Sequence, residues 1–200
     1  MKKTIGISGG IAIIIALIFS VDQDISGCEA AFPDTGLVSY SNVADWIDPT
    51  IKKYKKLSRK EGAPKFRVVW HHTATRLDLS ASELCRITND RFSLGCSYVA
   101  SIHAGGEVIQ VNDFNEITAS VRLMNSRVIS FAFVGNFENK EIPDIMLKAA
   151  CKIKYSLEKY AELNPDFEIE GFYVHSDFVN TKCAGKVGSK QLRECGLVSN

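Results

Sequence analysis

Two short apolar, β-rich runs in this chain each end in histidine: Arg67-Val68-Val69-Trp70-His71-His72-Thr73 and Gly171-Phe172-Tyr173-Val174-His175. Cys183 follows the second histidine by eight positions, in a loop that runs to Lys186. Imidazole and thiolate are the donors zinc prefers, and three protein ligands leave a fourth position open for water. The reading that follows is that His71, His175 and Cys183 meet around one zinc ion, so the fold must bring two distant strand ends together. Neighbouring strand residues point to opposite faces, so only one of His71 and His72 can face the ion, and Trp70 shares the other face with its partner. The seven residues between His175 and Cys183 are enough to fold back over it. The competing reading pairs Cys183 with Cys195 in a disulfide and leaves no site.

Two hundred residues suggest one domain, or one domain with appendages. At 46% hydrophobic and 24% charged, the chain can bury a substantial core. A formal net charge of +1 gives no support for nucleic-acid binding, which calls for a basic patch. Met1-Lys2-Lys3 followed by the apolar Ile5 to Val21 has the form of an export signal, so residues 1–21 are expected to be a signal peptide or an N-terminal membrane anchor. The protein is then exported, periplasmic or secreted, with membrane attachment left open. Ile25-Ser26-Gly27-Cys28 resembles a lipoprotein cleavage box, although Asp22 and Asp24 separate it from the apolar run. Export permits disulfides among the remaining cysteines, and Cys85–Cys96 is the first pair expected, tying a helix to the next strand.

Residues 22–66 read as a lead-in punctuated by Pro33, Pro49 and Pro64, with a basic run from Lys52 to Lys60 and with Trp46 and Ile47 covering a core edge. Residues 67–200 form the main domain. Strands are expected over Arg67–His71, Cys96–Ile102, Glu107–Val111, Arg127–Val134 and Glu168–His175, the second and third joined by a Gly105-Gly106 turn. Asp78–Arg91 reads as a helix starting near Ser80 or Ser82 and burying Leu84, Ile87 and Phe92. Ile142–Leu163 reads as a long helix with Ile145, Met146, Ala149, Ile153, Leu157 and Tyr160 at helical spacing. A short helix is expected over Ser189–Cys195. The order implies an α/β (α+β) domain: a central mixed sheet flanked by helices.

Four pieces, in order, carry a family resemblance: Val69-Trp70-His71-His72-Thr73-Ala74; Ser97-Tyr98-Val99-Ala100; Asn125-Ser126-Arg127-Val128-Ile129 running into Phe133-Val134-Gly135-Asn136-Phe137; and His175-Ser176-Asp177 leading to Thr181-Lys182-Cys183-Ala184-Gly185-Lys186. The chain resembles the zinc amidase family that includes the phage lysozyme-type N-acetylmuramoyl-L-alanine amidases and the peptidoglycan recognition proteins. The match runs from about Val68 to Lys186.

The resemblance implies that fold, a zinc ion on His71, His175 and Cys183, and a peptidoglycan or muropeptide substrate, in a protein expected to be a monomer. It places Tyr98 where the family keeps a catalytic tyrosine. Thr181 falls where the phage enzymes have lysine and the zinc-binding recognition proteins have threonine; it can hydrogen-bond an oxyanion but brings no charge. Lys182 is expected to point outward, and Asp177 to orient the loop. Ser120 stands where the family often has histidine, beside Arg122, and Ala184 replaces a proline. These departures bear on which muropeptide fits and not on the metal. Three functions are therefore set against one another: hydrolysis of the bond between N-acetylmuramic acid and L-alanine, binding of peptidoglycan without cutting, and a structural or metal-carrier role. The presence of Cys183 favours the first, because family members that bind without cutting typically lose that ligand.

Overall fold

The computed structural model describes Tyr40–Asn42 and residues 66–199, apart from residues 94, 115 and 166. The signal-like segment, the Cys28 box, the basic run and Trp46-Ile47 lie outside the described residues. Among the described residues, no helix is long and apolar enough to cross a membrane.

Six strands form one mixed sheet: β1 (Tyr40–Asn42), β2 (Phe66–His72), β3 (Ala100–Ile102), β4 (Val108–Gln110), β5 (Val128–Phe133) and β6 (Ile169–Val174). Their spatial order is β1-β4-β3-β5-β2-β6. The four strands β3, β5, β2 and β6 run parallel, and β4 turns back antiparallel to β3. Parallel neighbours need crossovers, which helices supply. Helix α1 (Ala81–Phe92) lies between β2 and β3 in the chain, and α2 (Asp144–Leu163) between β5 and β6; α3 (Lys186–Glu194) closes the domain. This is the expected architecture of a central mixed sheet flanked by helices.

Strand β2 is covered on both sides, as a strand inside a parallel sheet must be. Its alternate residues Val68 and Trp70 join Ile129, Phe131, Phe133, Ala100, Ile102, Phe172 and Val174 on one face, under α2 and α3. The Trp70 indole N–H donates to the carbonyl of Leu197 at 2.8 Å, tying the C-terminal turn to this core. On the other face, Val69 and Val128 pack with Val121, while Ala132 and Val134 pack with Ala81, Leu84, Cys85 and Tyr98. His71 is two residues from Val69 and therefore belongs to this second face.

Several expectations about the elements need correction. Ile87 and Phe92 do not face the core; they are 41% and 46% exposed. The buried side of α1 is instead Ala81, Leu84, Cys85 and Asn89. Polar groups set that rotation: the Asn89 side-chain oxygen accepts from the N–H of Gly95 at 3.1 Å, and the Thr88 hydroxyl donates to the Gly95 carbonyl at 2.9 Å. Ser80 caps the helix in a reciprocal box with Glu83. Ile145 is also outside the core, 47% exposed; a Cβ placed on Gly106 would lie 2.8 Å from its Cγ1, so it packs against the β3–β4 turn. Strand β3 is shorter than expected: the Asn112 side-chain amide takes the carbonyls of Cys96 (3.1 Å) and Tyr98 (2.7 Å). Phe66, placed in the lead-in, begins β2. Helix α3 starts at Lys186 rather than Ser189, its first N–H groups met by Glu138 and Phe137.

Candidate metal centre

The carboxyl ends of β2 and β6 lie side by side, since Trp70 pairs with Val174. One step further, His71 ends its run on the second face, and His175 opens a tight turn over His175–Asp177 instead of closing the strand as expected. Asp177 holds that turn: one carboxylate oxygen accepts from the N–H of Val174 at 2.9 Å, and the other pairs with Arg193 of α3. The expectation that Asp177 orients the loop is met. Cys183 is then folded back onto the turn, its carbonyl accepting from the N–H of Ser176 at 2.9 Å.

The loop is anchored from below as well. Gly185 has φ +87°, and a Cβ on it would lie 2.3 Å from the carbonyl carbon of Phe137. Only glycine lets the two backbones approach this closely.

Three candidate ligand atoms, one each from His71, His175 and Cys183, lie within 4.8 Å of one another. The His71 and His175 rings are 4.6 Å apart between centroids, and Cys183 Sγ is 3.6 Å from His71 Nδ1. A tetrahedral zinc ion with Zn–N of about 2.0 Å and Zn–S of about 2.3 Å holds its nitrogen and sulfur roughly 3.5 Å apart. The sulfur and this imidazole therefore already stand at the separation such an ion requires. Cys183 and Cys195 are both free thiols, so the competing disulfide does not form. Cys85 and Cys96 are bonded to each other, as expected.

The two imidazoles are in the protonation state that a metal requires. Burial holds the His71 imidazole well below its ordinary value, with the neighbouring His175 and His72 adding to the effect. Burial lowers His175 too. Both rings are then neutral at pH 7, as ligation requires. Burial pushes the Cys183 thiol up to about 11, opposed by a backbone N–H from His72. The far nitrogen of His71, Nε2, is buried without a hydrogen-bond partner.

Two contributions were not legible in the residue types. The His72 ring does turn to the opposite side of the strand, where its Nδ1 accepts from the N–H of Phe137 at 3.1 Å. Its backbone N–H, however, points at Cys183 Sγ, 3.3 Å away. Main-chain donors carry no sequence signal. Glu138 is the second: it receives the N–H of Lys186 at 3.2 Å and lies 3.5 Å from Lys182 Nζ. Lys182 itself points outward, its side chain 85% exposed.

Tyr98 is 4% exposed and packs with Ala132, the register neighbour of His71 on β5. Its hydroxyl is buried without a partner, and burial raises its pKa, so it stays a protonated donor. Thr181 is half-buried, and its hydroxyl oxygen accepts the N–H of Cys183 at 3.4 Å. Ser120, noted as a departure, has its N–H bound at 3.1 Å by the side chain of Asn125, which also holds Val121 N–H at 2.8 Å. Arg122 beside it is exposed.

Comparison with known proteins meets this geometry from outside. The model of the N-acetylmuramoyl-L-alanine amidase family matches residues 61–186. A search of curated proteins by sequence finds no match. Among solved structures, Drosophila PGRP-LB is similar with a TM-score of 0.65 at 16% identity, over 82% of this chain and 97% of that one. The endolysin of Thermus scotoductus bacteriophage Ph2119 gives 0.62 at 21% identity, over 79% and 99%. The Clostridium intestinale endolysin LysCS, an N-acetylmuramoyl-L-alanine amidase, gives 0.61 at 18% identity, over 79% and 94%. At these identities the likeness shows a shared fold.

Proposed function

This chain belongs to the N-acetylmuramoyl-L-alanine amidase family, and on that premise we propose that it is a zinc-dependent hydrolase cutting the amide between N-acetylmuramic acid and L-alanine in peptidoglycan or its fragments. The observation that carries the reading is the meeting of His71, His175 and Cys183, with sulfur and imidazole 3.6 Å apart. His71, His175 and Cys183 would hold the zinc ion, which would supply a Lewis acid for the amide carbonyl and bring a water molecule's pKa toward ~7.

The chain's own groups do the rest. His72 N–H steadies the sulfur, which keeps the loop at a fixed reach from His71. The Tyr98 phenol, protonated and without another partner, donates toward the carbonyl oxygen as negative charge develops there. Thr181 offers its hydroxyl proton to the same charge while its oxygen is held by Cys183 N–H. It brings no cation, so its share is smaller than a lysine's would be. The nonpolar length of Met1–Val21 and the Cys85–Cys96 bond both support action outside the cytoplasm, where peptidoglycan lies.

The test is zinc analysis of the purified protein together with digestion of isolated sacculi, read by mass spectrometry. The expected result is one zinc per chain and release of free stem peptides beginning with L-alanine. Binding of sacculi with one zinc per chain and no stem peptide released would replace this reading with a recognition role.

A further inference from the structure

His72 follows the candidate ligand His71 and turns its ring to the opposite side of β2. The residue is half-buried, and its Nδ1 accepts the N–H of Phe137 at 3.1 Å. An imidazole that accepts at Nδ1 is neutral and carries its proton on Nε2, so this ring is held in one tautomer. The same residue donates its main-chain N–H to Cys183 Sγ at 3.3 Å. Its backbone thus reaches the sulfur, and its side chain reaches the segment that follows β5. We propose that the His72 side chain is a positioning residue of the metal centre, setting the reach of Cys183 by clamping Phe137-Glu138 to the end of β2.

Phe137-Glu138 is the platform on which the ligand loop rests. The Phe137 carbonyl accepts the N–H of Gly188 at 3.1 Å, and the Glu138 carbonyl accepts that of Val187 at 3.3 Å. The Glu138 carboxylate accepts the N–H of Lys186 at 3.2 Å and lies 3.5 Å from Lys182 Nζ. Gly185 meets the Phe137 peptide so closely that a Cβ would lie 2.3 Å from its carbonyl carbon. Residues on both sides of Cys183 are therefore fixed to this platform. Thr73 holds the platform's approach, its hydroxyl oxygen accepting the N–H of Gly135 at 2.9 Å, and the His72 ring supplies the bond to Phe137 itself.

These contacts close a circuit. It runs from the His72 main chain to the Cys183 sulfur, along the loop to Gly185, across to Phe137, and back through the Phe137 N–H to the His72 ring. His71, one peptide away, carries the imidazole that must meet that sulfur, with Nδ1 3.6 Å from Sγ. Removing the ring acceptor leaves the Phe137 N–H to seek water and lets the platform move with the loop on it. A loop already held in place loses less freedom when an ion binds, so the clamp favours binding through pre-organisation. Groups that orient metal ligands from outside typically change metal affinity by about 10–100-fold. The role proposed for His72 rests on the metal-centre reading and not on hydrolysis.

The experiment compares the purified protein with His72→Asn, His72→Gln and His72→Ala. Asparagine carries an acceptor oxygen on Cγ, where imidazole carries Nδ1; glutamine moves it one bond further out. Zinc affinity is measured by competition with a chromophoric chelator, and protection of the Phe137 amide by hydrogen exchange in the metal-free proteins. His72→Gln and His72→Ala should bind zinc about 10-fold more weakly and lose protection at Phe137, whereas His72→Asn should keep both. A role in packing alone would lower Tm without separating Asn from Gln. Equal zinc affinity in all four proteins, a loss in His72→Asn as large as in His72→Ala, or full affinity in His72→Gln would overturn the proposal. The Asn–Gln contrast carries the test should His72→Ala fail to fold. Zinc retained without stem-peptide release would end the amidase reading and leave the clamp standing, while unchanged zinc affinity in the variants of an active enzyme would do the reverse. A purified wild-type protein unable to bind zinc would end both.

Discussion

The two faces of the central sheet are built from different chemistry. Under α2 and α3, β2, β5, β3 and β6 present Val68, Trp70, Ile129, Phe131, Phe133, Ala100, Ile102, Phe172 and Val174, an unbroken apolar surface. On the opposite face the same strands bury polar groups: His71, Ser101 and Ser130 are each 9% exposed or less, and Tyr98 packs with Ala132 and Val134 of that face. Among the described residues, four buried polar side-chain atoms, His71 Nε2, Ser97 Oγ, Tyr98 hydroxyl and Ser130 Oγ, have no hydrogen-bond partner, and His71 and Ser130 belong to this face. Unpaired buried polar groups cost about 1–3 kcal/mol each. The comparison teaches a division of labour: one face stabilises the fold, and the other carries a free-energy cost around the candidate metal centre.

The strongest challenge to that division is at the sulfur. Cys183→Ala should abolish zinc retention and reduce stem-peptide release to background, while circular dichroism shows the fold intact. A variant that unfolds would place Cys183 among the stabilising residues and erase the contrast. Next comes the apolar face. Trp70→Ala removes a fully buried ring and its bond to Leu197, and should cost about 3–5 kcal/mol in urea unfolding. Zinc stoichiometry of the surviving folded fraction should be unchanged.

Tyr98→Phe sharpens the comparison further, because it should move activity and stability in opposite directions. Losing a donor aimed at developing charge should lower kcat by about 10²-fold. Losing an unpartnered buried hydroxyl should leave Tm unchanged or raise it. A fall in Tm would show that the hydroxyl is paired and structural.

The smallest effect is in proton linkage. In the metal-free protein His71 and His175 are held neutral, whereas unfolded they bind protons near pH 6.5. The unfolded state then binds more protons as the pH drops through that value. Stability of the metal-free protein should therefore be level above about pH 7 and decline below about 6.5. Denaturation at a series of pH values measures it, and His71→Gln should flatten the decline. Since the Cys183 thiol is pushed up to about 11, zinc binding near pH 7.5 should release one proton, seen as a buffer-dependent calorimetric heat.

Much of this was visible in the amino-acid order. Short apolar, β-rich runs marked the strands, and the histidines ending two of them marked where the candidate ligands meet. What failed to show had specific causes. Ile87 and Phe92 look like core residues by spacing, but Thr88 and Asn89 take the inward side of α1 because their side chains hold Gly95. A hydrophobic pattern cannot register a polar side chain that gains a backbone partner by being buried. Strand β3 fell short of its apolar run where the Asn112 side-chain amide, and not a main-chain donor, takes the carbonyls of Cys96 and Tyr98. The donor to the Cys183 sulfur is a main-chain amide and has no residue type to read.

The contact of Gly185 with the peptide of Phe137 sets the height of the whole ligand loop above the sheet. Main chain rests there on main chain, with no rotamer in between to slip or adjust. A single absent methyl group thus works as a spacer of zero thickness. The gap between thiol and imidazole is gauged by the skeleton of the protein and not by the rotamers of the loop.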